Sequence, residues 1–521
     1  MAYFSLGAYD ANVVLPTFKG LNQADVGLNP DIRYAAEVAN METPHGVLQP
    51  QAAFRQLDGE FEDRVETLAV LHRRWYSGGG SKTWYVAACN GKLYQKQEGS
   101  MLDWVQINTA QPFQSNAWSY VTYEMSGQSG TIDVLLMSNA EDGMIMVVPP
   151  DRPSIINDYA DYTFNQLASL TINELASPAW VVQTVDTQGY KFGVIERFGE
   201  RIWGGAIPDE PDLLVYSAPY DPTDWEQNND IPEDGAGEVR QPSWDGDKFY
   251  SMKGLGDRLT TYKKNRIWQV LGLNPGEYVF KEQFGEGTEY FNTIAVDGER
   301  VYMAGRNGPT VYDGVSTAPF ARPQIENIWK HVNSAALDQM CGAIHKKKYY
   351  LSFPVGDSMV NNAMLVYDFD EGSVLYYTDI YIEAFLHSDE HLFATSSTVP
   401  GRILEVVNDS WASGQARDIP TKWVTPWMDF GQKKIQKGGF DLYFIPEVQN
   451  EEVELIFTIE TEKKAKVKRY TVLPTDKEHR GKRLHFGGTG RRFRIIIETE
   501  GSTAPWRLIG GLQMVVETDP D

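Results

Sequence analysis

The chain has 521 residues, 42% hydrophobic and 12% aromatic, with 46 glycines and a formal charge of −24. It is long enough for two or three buried cores, and its acidic balance argues against broad phosphate neutralisation as its way of working. No stretch approaches the roughly 18 continuous apolar residues that span a bilayer, so no membrane anchor is expected. Met1-Ala2-Tyr3-Phe4-Ser5-Leu6 lacks the basic start and long apolar run of an export signal.

Residues 1–60 show little periodicity and are expected to form an extended N-terminal arm that wraps over other structure. Within it, Ala35 to Met41 suits a short helix or strand with no clear bounds. From Glu62 an alternating pattern takes over, through Val65 to Leu71 and Trp84 to Cys89. A turn followed by an aliphatic–aromatic pair then recurs. It appears at Leu93-Tyr94, Ile202-Trp203, Ile267-Trp268, Val301-Tyr302, Tyr349-Tyr350 and Leu392-Phe393, with a weaker copy at Met144-Ile145, roughly 35 to 65 residues apart. Each copy is expected to be the return strand of a hairpin. A hairpin repeating at such distances is expected of four-stranded propeller blades, so residues 61–418 are assigned to a β-propeller of five to seven blades. One helix is expected, from Ile325 to Leu337, where Ile325, Ile328, Trp329 and Val332 recur at helical spacing.

After Ile419 the pair stops recurring. Long alternating strands at Phe440–Phe444, 453–459, 469–473, 493–497 and 512–516 predict a β-sandwich over residues 419–521. The fold class is therefore all-β. The last domain also gathers charge: Lys463, Lys464, Lys466, Lys468, Arg469, Lys477, Arg480, Lys482, Arg483, Arg491, Arg492 and Arg494 face only Asp476 and Glu478 within their window. Such a patch on an acidic body suits nucleic acid or an acidic neighbouring subunit. Docking is favoured, because the charges alternate with Val467, Tyr470, Val472, Leu484 and Phe486 as on strand faces.

Other motifs read as structure. His387-Ser388-Asp389-Glu390-His391 has the letters of a zinc-peptidase motif, but it needs a helix and lies between strands. Gly78-Gly79-Gly80-Ser81-Lys82-Thr83 lacks the glycine before lysine of a phosphate loop. Asp230 to Glu238 has Pro232 where a calcium loop needs a ligand. Asp209/Asp212 and Asp221/Asp224 sit in turns, where Asp caps. Cys89 and Cys341 are expected to be buried thiols, with no disulfide or metal. No catalytic, cofactor-binding or metal site is predicted.

One passage carries a resemblance. Arg197-Phe198-Gly199-Glu200-Arg201-Ile202-Trp203-Gly204-Gly205-Ala206, then Asp212 to Ser217, then Asp221-Pro222-Thr223-Asp224-Trp225, resembles the packaged-DNA stabilisation proteins, or tail nozzles, of short-tailed phages. Phe18-Lys19-Gly20-Leu21-Asn22, Lys348-Tyr349-Tyr350-Leu351-Ser352-Phe353-Pro354, Leu365-Val366-Tyr367-Asp368 and Thr425-Pro426-Trp427-Met428-Asp429-Phe430-Gly431 support it. The resemblance implies a non-enzymatic virion subunit, made in the host cytoplasm. Copies, six in the expected ring, would extend the tail channel and help hold packaged DNA until ejection. Partners would be the adaptor, fibre or needle proteins of the tail, with transient contact to DNA and no cofactor. Removing the arm is then expected to weaken assembly while leaving propeller melting nearly unchanged. Two alternatives remain: a receptor- or carbohydrate-binding propeller with exposed aromatics in one pocket, and a propeller glycosidase with two carboxylates about 5–10 Å apart.

Overall fold

The computed structural model describes the chain except residues 1–3, 7–9, 25–30, 58, 76–79, 101–102, 108–111, 128–129, 150–179, 229, 242–245, 284, 388–389, 430–435, 475–480 and 520–521. Its strands follow from the two-residue alternation: in Ser119–Gly127, for example, Val121, Tyr123 and Met125 are buried on one face. The turns follow from backbone sterics. Asn90 and Gly91 both take positive φ and join Gly80–Cys89 to Lys92–Gln97, the geometry that matches strand twist in a tight hairpin. Gly199-Glu200 and Lys346-Lys347 repeat that geometry, the last with two lysines in the left-handed region.

The described residues form a seven-bladed β-propeller. Blade one is Val65–Trp75, Gly80–Cys89, Lys92–Gln97 and Val105–Gln106, and blade two is Ser119–Gly127, Gly130–Asn139, Gly143–Val148 and Val181–Thr184. Blade three is Val194–Phe198, Arg201–Gly205, Leu213–Tyr216 and Gly237–Arg240. Blade four is Phe249–Leu255, Arg258–Lys263, Ile267–Leu271 and Val279–Gln283. Blade five is Ala295–Asp297, Arg300–Gly305, Gly308–Tyr312 and Thr317–Pro319, and blade six is Cys341–His345, Lys348–Phe353, Ala363–Asp368 and Ser373–Thr378. Blade seven takes only three strands from its own stretch of chain, Ile382–His387, Leu392–Ser396 and Ile403–Glu405. The fourth, Arg55–Gln56, comes from the arm. Apolar side chains fill each space between blades, and Arg64 pairs with Glu383 at 3.0 Å where blade seven meets blade one.

The C-terminal domain is a sandwich of two five-stranded sheets, and neither is complete without the arm. One sheet runs Phe4–Leu6, Asp10–Leu15, Trp506–Asp519, Gln436–Val448 and Lys482–Gly490. The other runs Ala465–Val472, Val453–Thr461, Phe493–Thr499, Thr421–Val424 and Glu37–Ala39. Lys19–Leu21 and Tyr34–Ala35 extend blade six. The arm therefore has no core of its own and threads both domains. One apolar cluster joins Phe18 and Leu21 of the arm, Tyr349 and Leu351 of blade six, and Trp423 and Trp506 of the sandwich. At this joint Phe18 meets Trp423 edge-on at 5.1 Å, and Trp423 Nε1 donates to the Lys19 carbonyl. A side chain at Gly20 would stand 2.3 Å from the Val374 carbonyl oxygen, so the strands can approach only because it is glycine.

Asn40 fixes the arm's path. Its φ is +58°, its amide donates to Thr378 Oγ1 and the Pro420 carbonyl, and its Oδ1 accepts from Thr378 N. That positive φ breaks the Ala35–Met41 stretch into separate short strands, Glu37–Ala39 and Met41–Glu42. The expectation that the arm could be removed with little effect on the propeller is overturned, because its loss would strip a strand from blade seven and three from the sandwich. The helix also differs. It spans Arg322–Trp329, begins earlier because Pro323 sits in its first turn, and stops at Trp329 before a separate turn at Leu337–Gln339.

Candidate docking surface

The motifs set aside in the sequence have structural partners. His391 Nδ1 lies 2.5 Å from Glu405 Oε1, and the same carboxylate receives Arg55 of the arm at 2.6 Å. Ser388 and Asp389 lie outside the described residues, as do Gly78 and Gly79. Among the described residues no group of three His, Cys, Asp or Glu is placed to hold a metal. Cys89 and Cys341 are free and buried, and burial pushes both thiols up. Asp212 sits 3.3 Å from the buried Lys263 ammonium, and the Asp221 carboxylate accepts from the Thr223 N–H and hydroxyl.

The loop from Asp230 to Glu238 is held by a cation from within the fold. Arg201, 1% exposed, donates to the carbonyls of Ser217 and Gly235 at 2.7 Å and to that of Glu233. Loop carbonyls that would have faced a calcium ion face a guanidinium instead. Trp225 is likewise a packing residue: it lies 4.9 Å from the Phe192 ring, and its Nε1 donates to the Pro222 carbonyl at 3.0 Å.

The predicted basic patch lies at one open edge of the sandwich. Ala465–Val472 and Lys482–Gly490 are the last strands of their two sheets and approach one another. Lys463 and Lys464 occupy the turn before the first. There Thr461 Oγ1 accepts from both N–H groups and donates to the Lys464 carbonyl. Lys466, Lys468 and Arg469 lie on Ala465–Val472, Lys482 and Arg483 on the other edge strand, and Arg494 on Phe493–Thr499. Arg491 and Arg492 turn between these last two strands and donate their N–H groups to the Glu462 carboxylate. Arg480 and Lys477 lie outside the described residues.

Pairing divides this patch. Arg469 meets Glu454 and Glu500, Arg494 meets Glu460 and Glu37, and Arg483 meets Asp441, which also receives His485 at 2.9 Å. The Arg483 hydrogen bond holds the Asp441 carboxyl below the usual carboxylate range. Lys463, Lys464, Lys466 and Lys468 form no ion pair among the described residues. They gather on one hairpin and its edge strand, where Val467 is 58% exposed instead of turning inward. Beneath them opens a cleft of about 550 Å³ with Phe440 and Ile459 at its apolar lining and Lys463, Lys464, Lys466 and Gly487–Thr489 beside them. A pair of edge strands carrying positive charge beside a cleft is suited to an extended, acidic polypeptide.

No family model matches the chain, and no curated protein matches it. Among solved structures it is similar to the Neurospora crassa Pan2 WD40 domain, at 10% identity and a TM-score of 0.37, over 69% of this chain and 98% of that one.

Proposed function

We propose that the chain is a structural subunit of a short-tailed phage tail, several copies of which form a ring that extends the DNA channel, helps retain packaged DNA and passes it at ejection. What supports this reading is where the nozzle-like motifs fall. Phe18–Asn22 lies in the joint between propeller and sandwich, Arg201 and Trp225 brace blade three, and Tyr349 to Phe353 lines the interdomain core. Motifs spent on rigid joints suit a scaffold that must keep two domains in fixed relation. The lysines at the sandwich edge that form no ion pair among the described residues, on a chain of net charge −24, suit contact with an acidic neighbour. A glycan-binding pocket is less well supported, since among the described residues the exposed aromatics Tyr220, Phe291 and Trp427 belong to blade three, the start of blade five and the sandwich. The deciding experiment is electron microscopy of the full chain, alone and mixed with tail adaptor. Rings with an axial channel are expected, and glycan binding by a persistently monomeric chain would overturn the reading.

A further inference from the structure

An exposed tip flanked by acids is the natural counterpart of a lysine-rimmed cleft, and this chain carries both. Ile231 is 52% exposed at the tip of the loop braced by Arg201, flanked by the exposed Asp230, Glu233 and Asp234. The tip is preorganised. Asn228 Oδ1 accepts from the N–H groups of Asp230 and Ile231, Asp234 N donates to the Ile231 carbonyl, and Ala236 N donates to the Glu226 carbonyl. The Glu233 carboxyl lies beside Gly276 of blade four, next to Leu273, itself 55% exposed. A rigid tip that presents an exposed Ile among acids is suited to docking on a basic surface.

We infer that the Asp230–Asp234 tip of one copy docks in the Lys463–Lys464–Lys466 cleft of a second copy, an inference that rests on the ring reading above. The acids then meet ammonium groups that form no ion pair among the described residues of their own chain, and Ile231 enters the cleft beside them. The two surfaces differ and lie on different domains, the tip on blade three and the cleft on the sandwich. The contact is therefore heterologous: each copy offers one of each, and repetition closes a ring or propagates a filament. Arg201 acquires a purpose here, since its carbonyl bonds hold the tip in shape before docking and reduce what ordering costs on contact.

The test is disulfide capture between full-length chains. Ile231→Cys and Lys466→Cys proteins are mixed, concentrated, and oxidised both alone and in assembled tails. The native cysteines are buried and give no background. A cross-linked pair is expected in the mixture and in neither protein by itself. Adding Lys463→Glu and Lys464→Glu to the Lys466→Cys chain should lower its yield at least tenfold. Adding Asp230→Lys and Glu233→Lys to the Ile231→Cys chain should restore it. Rings in the microscope without the cross-link would overturn this pairing and leave the ring reading standing. The cross-link on open strings of subunits would uphold the pairing and sink the closed ring. Duplex-DNA binding that falls tenfold with the lysine reversals, with no cross-link, would overturn the pairing and assign the cleft to nucleic acid.

Discussion

Glu42 is an unmatched carboxyl inside the joint between arm and propeller, and neutralising it should stabilise the protein. It is 5% exposed, its oxygens accept at 3.3 Å from Gln49 Nε2 and Ala52 N–H, and it forms no ion pair among the described residues. Burial, only partly offset by the Lys348 charge, pushes it up to about 8 from an ordinary 4.5. The folded chain thus keeps a proton that the unfolded chain releases above pH 4.5. Stability from this group is complete below the unfolded value, falls as pH rises between 4.5 and 8, and falls no further above that. At about 1.4 kcal/mol per unit, the wild-type chain has lost about 3 kcal/mol at pH 7 and about 5 kcal/mol at pH 9. Glu42→Gln keeps the shape and removes the titration. With an unfolding entropy of about 2 cal/mol/K per residue, the variant should melt about 3 °C above wild type at pH 7 and about 4 °C above at pH 9. The two should coincide near pH 4.5. Calorimetry of both proteins across that range is the assay. A melting difference that does not change with pH would refute the reasoning.

Three further outcomes are expected. Arg201→Lys should lower unfolding free energy by about 2–4 kcal/mol in urea titration and speed proteolysis at the 226–238 loop, because Arg201 reaches its three carbonyls from two guanidinium nitrogens, a spread that one lysine nitrogen does not reproduce; unchanged cleavage would contradict the bracing role. Asn40→Ala should cost about 2–4 kcal/mol by the same titration, through three lost hydrogen bonds and a left-handed backbone that alanine adopts poorly. Gly511→Ala should yield little soluble protein. Gly511 has a φ of +75°, and an added Cβ would stand 1.8 Å from the Leu15 carbonyl oxygen; normal yield and melting would show that the terminal strand does not clasp the arm as described.

Much of the propeller was legible because its signal is local. Each blade contains one turn–aliphatic–aromatic copy, so the seven copies match the seven blades, even though their spacing is uneven. The unevenness has a simple source. The pair lies on the second strand in blades three, five, six and seven, and on the third in blades one, two and four. Passing from Ile202-Trp203 to Ile267-Trp268 therefore lengthens the gap, and passing on to Val301-Tyr302 shortens it. What escaped the sequence was non-local. Nothing in Arg55-Gln56 or Glu37–Ala39 announces that these short pieces complete sheets formed hundreds of residues later. The pairing within the charge patch was hidden for the same reason. Counting within residues 463–494 gave a solid block of cations, while Asp441, Glu454, Glu500 and Glu37 neutralise several of them across strands from outside that window.

The threading of the arm sets an order on synthesis. The first sixty residues leave the ribosome earliest, yet their partners are among the last strands made: Ile403–Glu405, Thr421–Val424 and Trp506–Asp519. Blade seven can take its outer strand once Ile403–Glu405 has emerged, Glu37–Ala39 can pair once Thr421–Val424 has, and Asp10–Leu15 must wait for Trp506–Asp519. The nascent protein must carry open strands through nearly its whole translation. Closure is then stepwise and late, propeller before sandwich, so a copy that stops short of Trp506–Asp519 should keep its blades but leave Asp10–Leu15 an open strand.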